Sequence, residues 1–276
     1  MRMLFLFICL LCSTSKVLAQ QLDFTDLLLQ DWRQHLPDGQ FDVLLVGEQE
    51  VPLLVHESRT SLTKGVVVII SDTSQSPLHG QGLSMLVNQL TGWGWVTMQL
   101  PAPSPESVLE DEEPVPADDQ VPSFHTAPLL TDTQFTQNAQ ALGERINAVA
   151  NRAGRYPGFF LVISQGITAA SLATSYAEGS LAAPDALVVL SPYLPNRPMN
   201  DDLPRRLART PMPVLDLFSH WDNGWSRMHI EQRKIEAERE LKMHYRQREI
   251  IGQPLDAQQM ARVGKEIQGW LVYLGW

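Results

Sequence analysis

The stretch Phe159-Phe160-Leu161-Val162-Ile163-Ser164-Gln165-Gly166-Ile167-Thr168-Ala169-Ala170 decides the reading of this chain. Its first five residues are apolar without polar alternation, which predicts a strand covered on both faces. The strand runs without a linker into Ser164-Gln165-Gly166 and then into an alanine-rich helical pattern. A turn this sharp exposes one side chain at its tip, beside the free backbone N–H groups that open the helix.

Three more apolar runs share this character: Gly65–Ile70, Ala186–Leu190 and Pro213–Phe218. Trp95–Leu100 and Tyr245–Ile251 are weaker strand candidates, and Val43–Val46 with Val51–Val55 reads as an antiparallel lead-in. Helical patterns fall between them. Phe135, Ala139, Leu142, Ile146 and Val149 recur at helical spacing behind a capping-box pattern, Thr131-x-x-Gln134. Met260, Val263, Ile267, Trp270, Leu271 and Leu274 give the last helix a broad apolar face. Residues 225–243 place Met228, Ile235 and Leu241 on a narrow stripe among charges, which predicts a largely solvated helix. Alternating strands and helices predict an α/β fold with a mostly parallel sheet and helices on both faces.

The chain has 276 residues with net charge −10, so nucleic-acid binding is not expected. Arg2, the apolar run Leu4–Cys12 and the Val17-Leu18-Ala19 cleavage pattern predict a signal peptide over residues 1–19 and a periplasmic location. Residues 20–276 then form one domain with no membrane span. Both cysteines, Cys9 and Cys12, fall in the predicted leader, leaving the mature chain without a thiol. Pro101–Pro128 holds seven prolines and the acidic cluster from Glu110 to Asp119, and reads as a surface excursion. The alternatives to a bare excursion are a cation-binding loop, a lid over a pocket and a surface for a protein partner.

The strand, turn and helix at 159–178 resemble the α/β-hydrolase superfamily. Gly94-Trp95-Val96-Thr97 and the Pro213-Val214-Leu215-Asp216 strand are similar to an uncharacterised, exported α/β-hydrolase-like family of gamma-proteobacteria. The resemblance spans about residues 35–275 and implies a nucleophile at the elbow, then an acid, then a histidine.

Two registers of the elbow are open. With Ser164 as nucleophile, Val162 stands where a small residue belongs. With residue 166 at the tip, the flanks Ser164 and Thr168 are modest in size and the tip is Gly166, which is the favoured register. Asp222, after the Pro213–Phe218 strand, fits the place of the acid, and it also reads as the start of a turn. The loop after Tyr245–Ile251 has no histidine; His220 is the substitute candidate. Backbone N–H groups at Thr73 and Ile167 are the oxyanion-type donors that the resemblance implies. A serine without a general base is a poor nucleophile, since such a base contributes ~10²–10⁴-fold. The expected role is therefore a non-catalytic or attenuated protein that binds a small ligand or another protein. The alternative is a serine hydrolase using Ser164 with His220 or Asp222. No metal-ligand spacing or phosphate-binding glycine loop is present, and no cofactor is expected.

Overall fold

The computed structural model describes residues 24–37, 39–72, 77–78, 81–103, 132–252 and 256–276. The predicted leader, Thr73, Thr131 and most of the Pro/acid-rich excursion lie outside the described residues.

The chain opens with α1 (Phe24–His35), whose Leu29 and Trp32 are buried, and continues into β1 (Asp42–Val46) and β2 (Gln49–His56), an antiparallel pair. Then follow β3 (Gly65–Ile70), a 3₁₀ turn (Gly82–Leu86), α2 (Val87–Gly92) and β4 (Trp95–Leu100). The second half alternates: α3 (Asp132–Ala153), β5 (Phe159–Gln165), α4 (Gly166–Ala177), β6 (Ala186–Leu190), α5 (Arg197–Arg209), β7 (Val214–Phe218), α6 (Gly224–Arg227), α7 (Ile230–Arg239), β8 (Tyr245–Glu249) and α8 (Ala257–Tyr273). The eight strands form one sheet in the order β1-β2-β4-β3-β5-β6-β7-β8. Every pairing from β4 to β8 is parallel.

Helices cover both faces, so the central strands must be apolar on both sides, and β3, β4 and β6 are buried at every position. One core joins Val66, Val68, Val162 and Val189 to α3, α4 and α5; the other joins Val67, Ile69, Ile163 and Val188 to the 3₁₀ turn, α2 and α8. Buried Arg145 of α3 donates to the Pro101 carbonyl and to Thr25 Oγ1, both at 2.7 Å, tying α3 to the end of β4 and to α1. Pro101–Pro103, the start of the predicted excursion, are thereby inside rather than on the surface.

The segment 225–243 is helical and largely solvated as expected, but it departs from the reading in continuity and in the face it buries. It is broken into α6 and α7, and its apolar stripe faces outward: Met228, Ile235 and Leu241 are exposed. Arg233, Glu236 and Ala237 are the residues buried instead. The physical reason is a carboxylate in the middle of β7. Asp216, wholly buried, accepts from Arg233 Nε at 2.7 Å, Tyr245 Oη at 2.6 Å and Gln247 Nε2 at 2.9 Å. A buried charge needs a partner, and that requirement turns the charged face of α7 inward.

The parallel crossovers bring the carboxyl ends of β3, β5, β6 and β7 together. Open α/β sheets bind their ligands at such an edge.

Candidate functional site at the strand tips

Four neighbouring tips build the site: Ser71-Asp72 after β3, Gln165-Gly166 after β5, Ser191 after β6, and Ser219–Asn223 after β7. At the β5 tip, Gln165 is still extended (φ −132°, ψ 152°), and Gly166 turns to φ +59° as the first residue of α4. That left-handed conformation costs ordinary residues ~1–2 kcal/mol and glycine almost nothing. The sharp turn therefore has Gly166 at its tip. A Cβ built on Gly166 would lie 2.2 Å from Asp72 Oδ2 and 2.7 Å from its Cγ. The carboxylate of Asp72 fills the space that a nucleophile's side chain would take.

Ser164 sits two residues earlier, within β5, in register between Ile70 and Val189. It is fully buried, and its hydroxyl has no hydrogen-bond partner among the described residues. Its place is in the sheet, two residues before the bend. Ile167 follows Gly166 in the first turn of α4, where backbone N–H groups lack intrahelical partners, and the Gln165 side chain does not cap them.

Asp222 lies at the β7 tip. Its Oδ2 accepts from Ser191 Oγ at 2.5 Å and from the Ser219 N–H at 2.7 Å. Burial raises its pKa above the usual aspartate value; those two bonds and the Arg233 charge work against the rise. Ser191 is held at φ +48°, and because Leu190 pairs with Gln165, it stands beside Gly166 across one strand spacing. Tyr193 completes the rim. Its N–H donates to the Gly166 carbonyl at 3.4 Å, and its hydroxyl bonds the Asn223 side chain. Burial, with Asp72 nearby, pushes the phenol up to about 12.

His220 does not join this group. It is exposed, with Nε2 3.3 Å from Glu249 Oε1 at the sheet edge. None of the histidines among the described residues bonds to Ser164 or Asp222: His229 reaches Asp201, His35 reaches Asp31 and His56 reaches Gln99. The structure thus brings together Gly166, Ile167 and Asp222 and leaves Ser164 and His220 apart. Asp72, Ser191, Tyr193 and Asn223 escaped sequence reasoning. For Asp72 and Ser191 the available signal was position, since each follows a wholly buried strand within two residues. Among the described residues no three His, Cys, Asp or Glu side chains are grouped to hold a metal ion, and no helix is long and apolar enough to cross a membrane.

The fold is that of the α/β-hydrolases. Solved structures with similar folds include esterase 2 of Thermogutta terrifontis phosphorylated by paraoxon (TM-score 0.58, 12% identity, covering 86% of this chain and 95% of that one). Est1E from Butyrivibrio proteoclasticus is similar at TM-score 0.57 and 11% identity, covering 85% and 100%. The esterase domain of a Rhodothermus marinus protein is similar at TM-score 0.55 and 9% identity, covering 83% and 96%. At such identities the likeness is one of fold. No curated protein matches the sequence. Residues 1–272 match the family described as "Protein of unknown function (DUF3530)", and this α/β-hydrolase-fold chain belongs to that family.

Proposed function

We propose that this chain uses the hydrolase frame for binding, with acyl transfer at the elbow absent or strongly attenuated. The candidate docking surface for a small ligand or a protein segment is the rim over the β5, β6 and β7 tips, whose hollow among the described residues is about 20 Å³. One observation carries the reading: the bend holds Gly166 at φ +59°, with the Asp72 carboxylate where a reactive side chain would stand. Acyl transfer needs an oxygen or sulfur nucleophile there and a base within hydrogen-bond reach. The buried Ser164 hydroxyl, with no partner among the described residues, supports the same reading.

The test is a fluorophosphonate probe on the purified full chain, with the labelled peptide mapped by mass spectrometry. The expected result is no labelling above that of the heat-unfolded protein. Labelling that disappears in Ser164→Ala restores the esterase alternative. Export belongs to the same proposal: Arg2, the apolar run Leu4–Cys12 and Val17-Leu18-Ala19 support cleavage after Ala19 and a periplasmic location. Amino-terminal sequencing of the protein from fractionated cells checks this.

A further inference from the structure

A second concavity lies away from the strand tips, over β2 and β4 on the α2 side of the sheet. It is a groove of about 640 Å³, within the size range of small-molecule sites. Its floor follows from register: Leu54 faces Gln99 directly across the β2–β4 pair, and His56 is two residues further on the same side. Gln99 is 2% exposed, in a strand buried throughout whose other side chains, Thr97 apart, are apolar. His56 hydrogen-bonds its side chain, yet the amide nitrogen Nε2 has no partner among the described residues. A buried amide N–H without an acceptor is costly, and an acceptor brought by a ligand removes that cost.

The charges choose the acceptor. Arg59 stands at the rim with Nη2 donating to Asn88 Oδ1 at 2.6 Å, which fixes the guanidinium plane and leaves further N–H groups of the fork. Glu57 also borders the groove, but its carboxylate accepts from Tyr156 Oη at 2.6 Å, and Tyr156 packs on the opposite core. Burial above all, with the Arg59 charge, lowers the pKa of His56 against the Gln99 contact that raises it, and Arg59 is the permanent cation bordering the groove. Leu54, Pro77 and Leu78 supply apolar wall. We infer that this groove binds a small amphipathic carboxylate, its head on Arg59 and the Gln99 amide and its apolar part against Leu54, Pro77 and Leu78. The inference goes beyond the elbow reading and uses none of its residues.

Titration calorimetry of the full chain with sodium hexanoate, with hexan-1-ol and hexylammonium as matched probes, tests it. Saturable hexanoate binding is expected at millimolar concentrations, weakened about tenfold in Arg59→Gln, since a charge-assisted bond is lost. Gln99→Leu weakens it as well, and Arg197→Gln, which removes a distant surface cation, leaves it unchanged. In proton NMR the His56 ring titrates at higher pH with hexanoate bound, because a carboxylate now faces it. The inference is overturned if hexanoate does not saturate, if hexylammonium binds as tightly, or if Arg59→Gln unfolds at the wild-type temperature and binds hexanoate with wild-type affinity. Neither set of outcomes bears on fluorophosphonate labelling, so the two proposals fail separately.

Discussion

The tips of β5 and β7 end in opposite ways. At β5 the bend carries a residue with no side chain; at β7, two strands away, it carries a carboxylate with two donors aimed at one oxygen. The difference lies in what each position does for the fold. Asp222 Oδ2 holds Ser219 and Ser191 together and so joins the β7 loop to the β6 tip. Beneath it, Asp216 and Arg233 tie α7 to the sheet. The β7 tip is thus needed whether or not a reaction runs there. The bend at Gly166 needs only a residue that accepts φ +59° beside Asp72, and a nucleophile is not required for that.

The largest effect is expected at the foundation of the β7 side. Arg233→Met leaves the Asp216 carboxylate buried with hydroxyl and amide donors only, and breaking a buried pair from one side costs ~3–5 kcal/mol. Urea unfolding should show that loss. The double variant Arg233→Met/Asp216→Leu should regain most of it, because a buried pair replaced on both sides by apolar groups is often neutral. A single-variant loss below ~1 kcal/mol would mean that water reaches Asp216, and the contrast between the two tips would then lose its basis on this side.

This pair also marks where the sequence was opaque. The runs Gly65–Ile70, Phe159–Ile163 and Ala186–Leu190 announce strands because both faces are apolar, a property of each segment alone. Trp95–Leu100 reads as weaker only because Thr97 and Gln99 interrupt it, although the strand is buried throughout. Residues 225–243 read rightly as largely solvated but not in the face they bury, since periodicity sends every charge to solvent and cannot see that Asp216 waits in β7 for Arg233. Helix α5 was not anticipated: Pro198 opens it and Pro204 lies inside it, which disguises its pattern. At the site, the Gly166 bend and Asp222 follow from chain order. Asp72 and Ser191 are marked only as residues that follow buried strands; that they meet Gly166 depends on β3 and β6 flanking β5.

An intermediate effect is expected at the bend itself. Gly166→Ala places a Cβ against Asp72 and a side chain at φ +59°, and should destabilise by ~1–3 kcal/mol. Asp72→Ala in the same chain removes the collision but not the backbone strain, so it should recover part of the loss. A double-mutant cycle on unfolding free energies measures the coupling between the two residues. Additive effects would show that Asp72 moves aside freely, which would weaken the proposal that its carboxylate stands in for a nucleophile.

The smallest effect sharpens the acid side and depends on pH. Asp222 has a folded-state pKa raised above the ordinary value of 3.8, chiefly by burial. Between those two values the native state holds a proton that the unfolded chain has released, so stability falls as pH rises through that window and stays lower above it. Asp222→Asn keeps an oxygen for Ser191 Oγ and the Ser219 N–H but carries no charge. It should therefore be more stable than the parent at pH 7, with the advantage shrinking as pH falls through 3.8. Urea midpoints for both proteins at the two pH values check this. A variant less stable at pH 7 would show that the ionised carboxylate is favoured where it stands, the arrangement a catalytic acid station requires. The β7 tip would then be built for charge, and its contrast with the side-chain-free bend at Gly166 would sharpen from a folding difference into a chemical one.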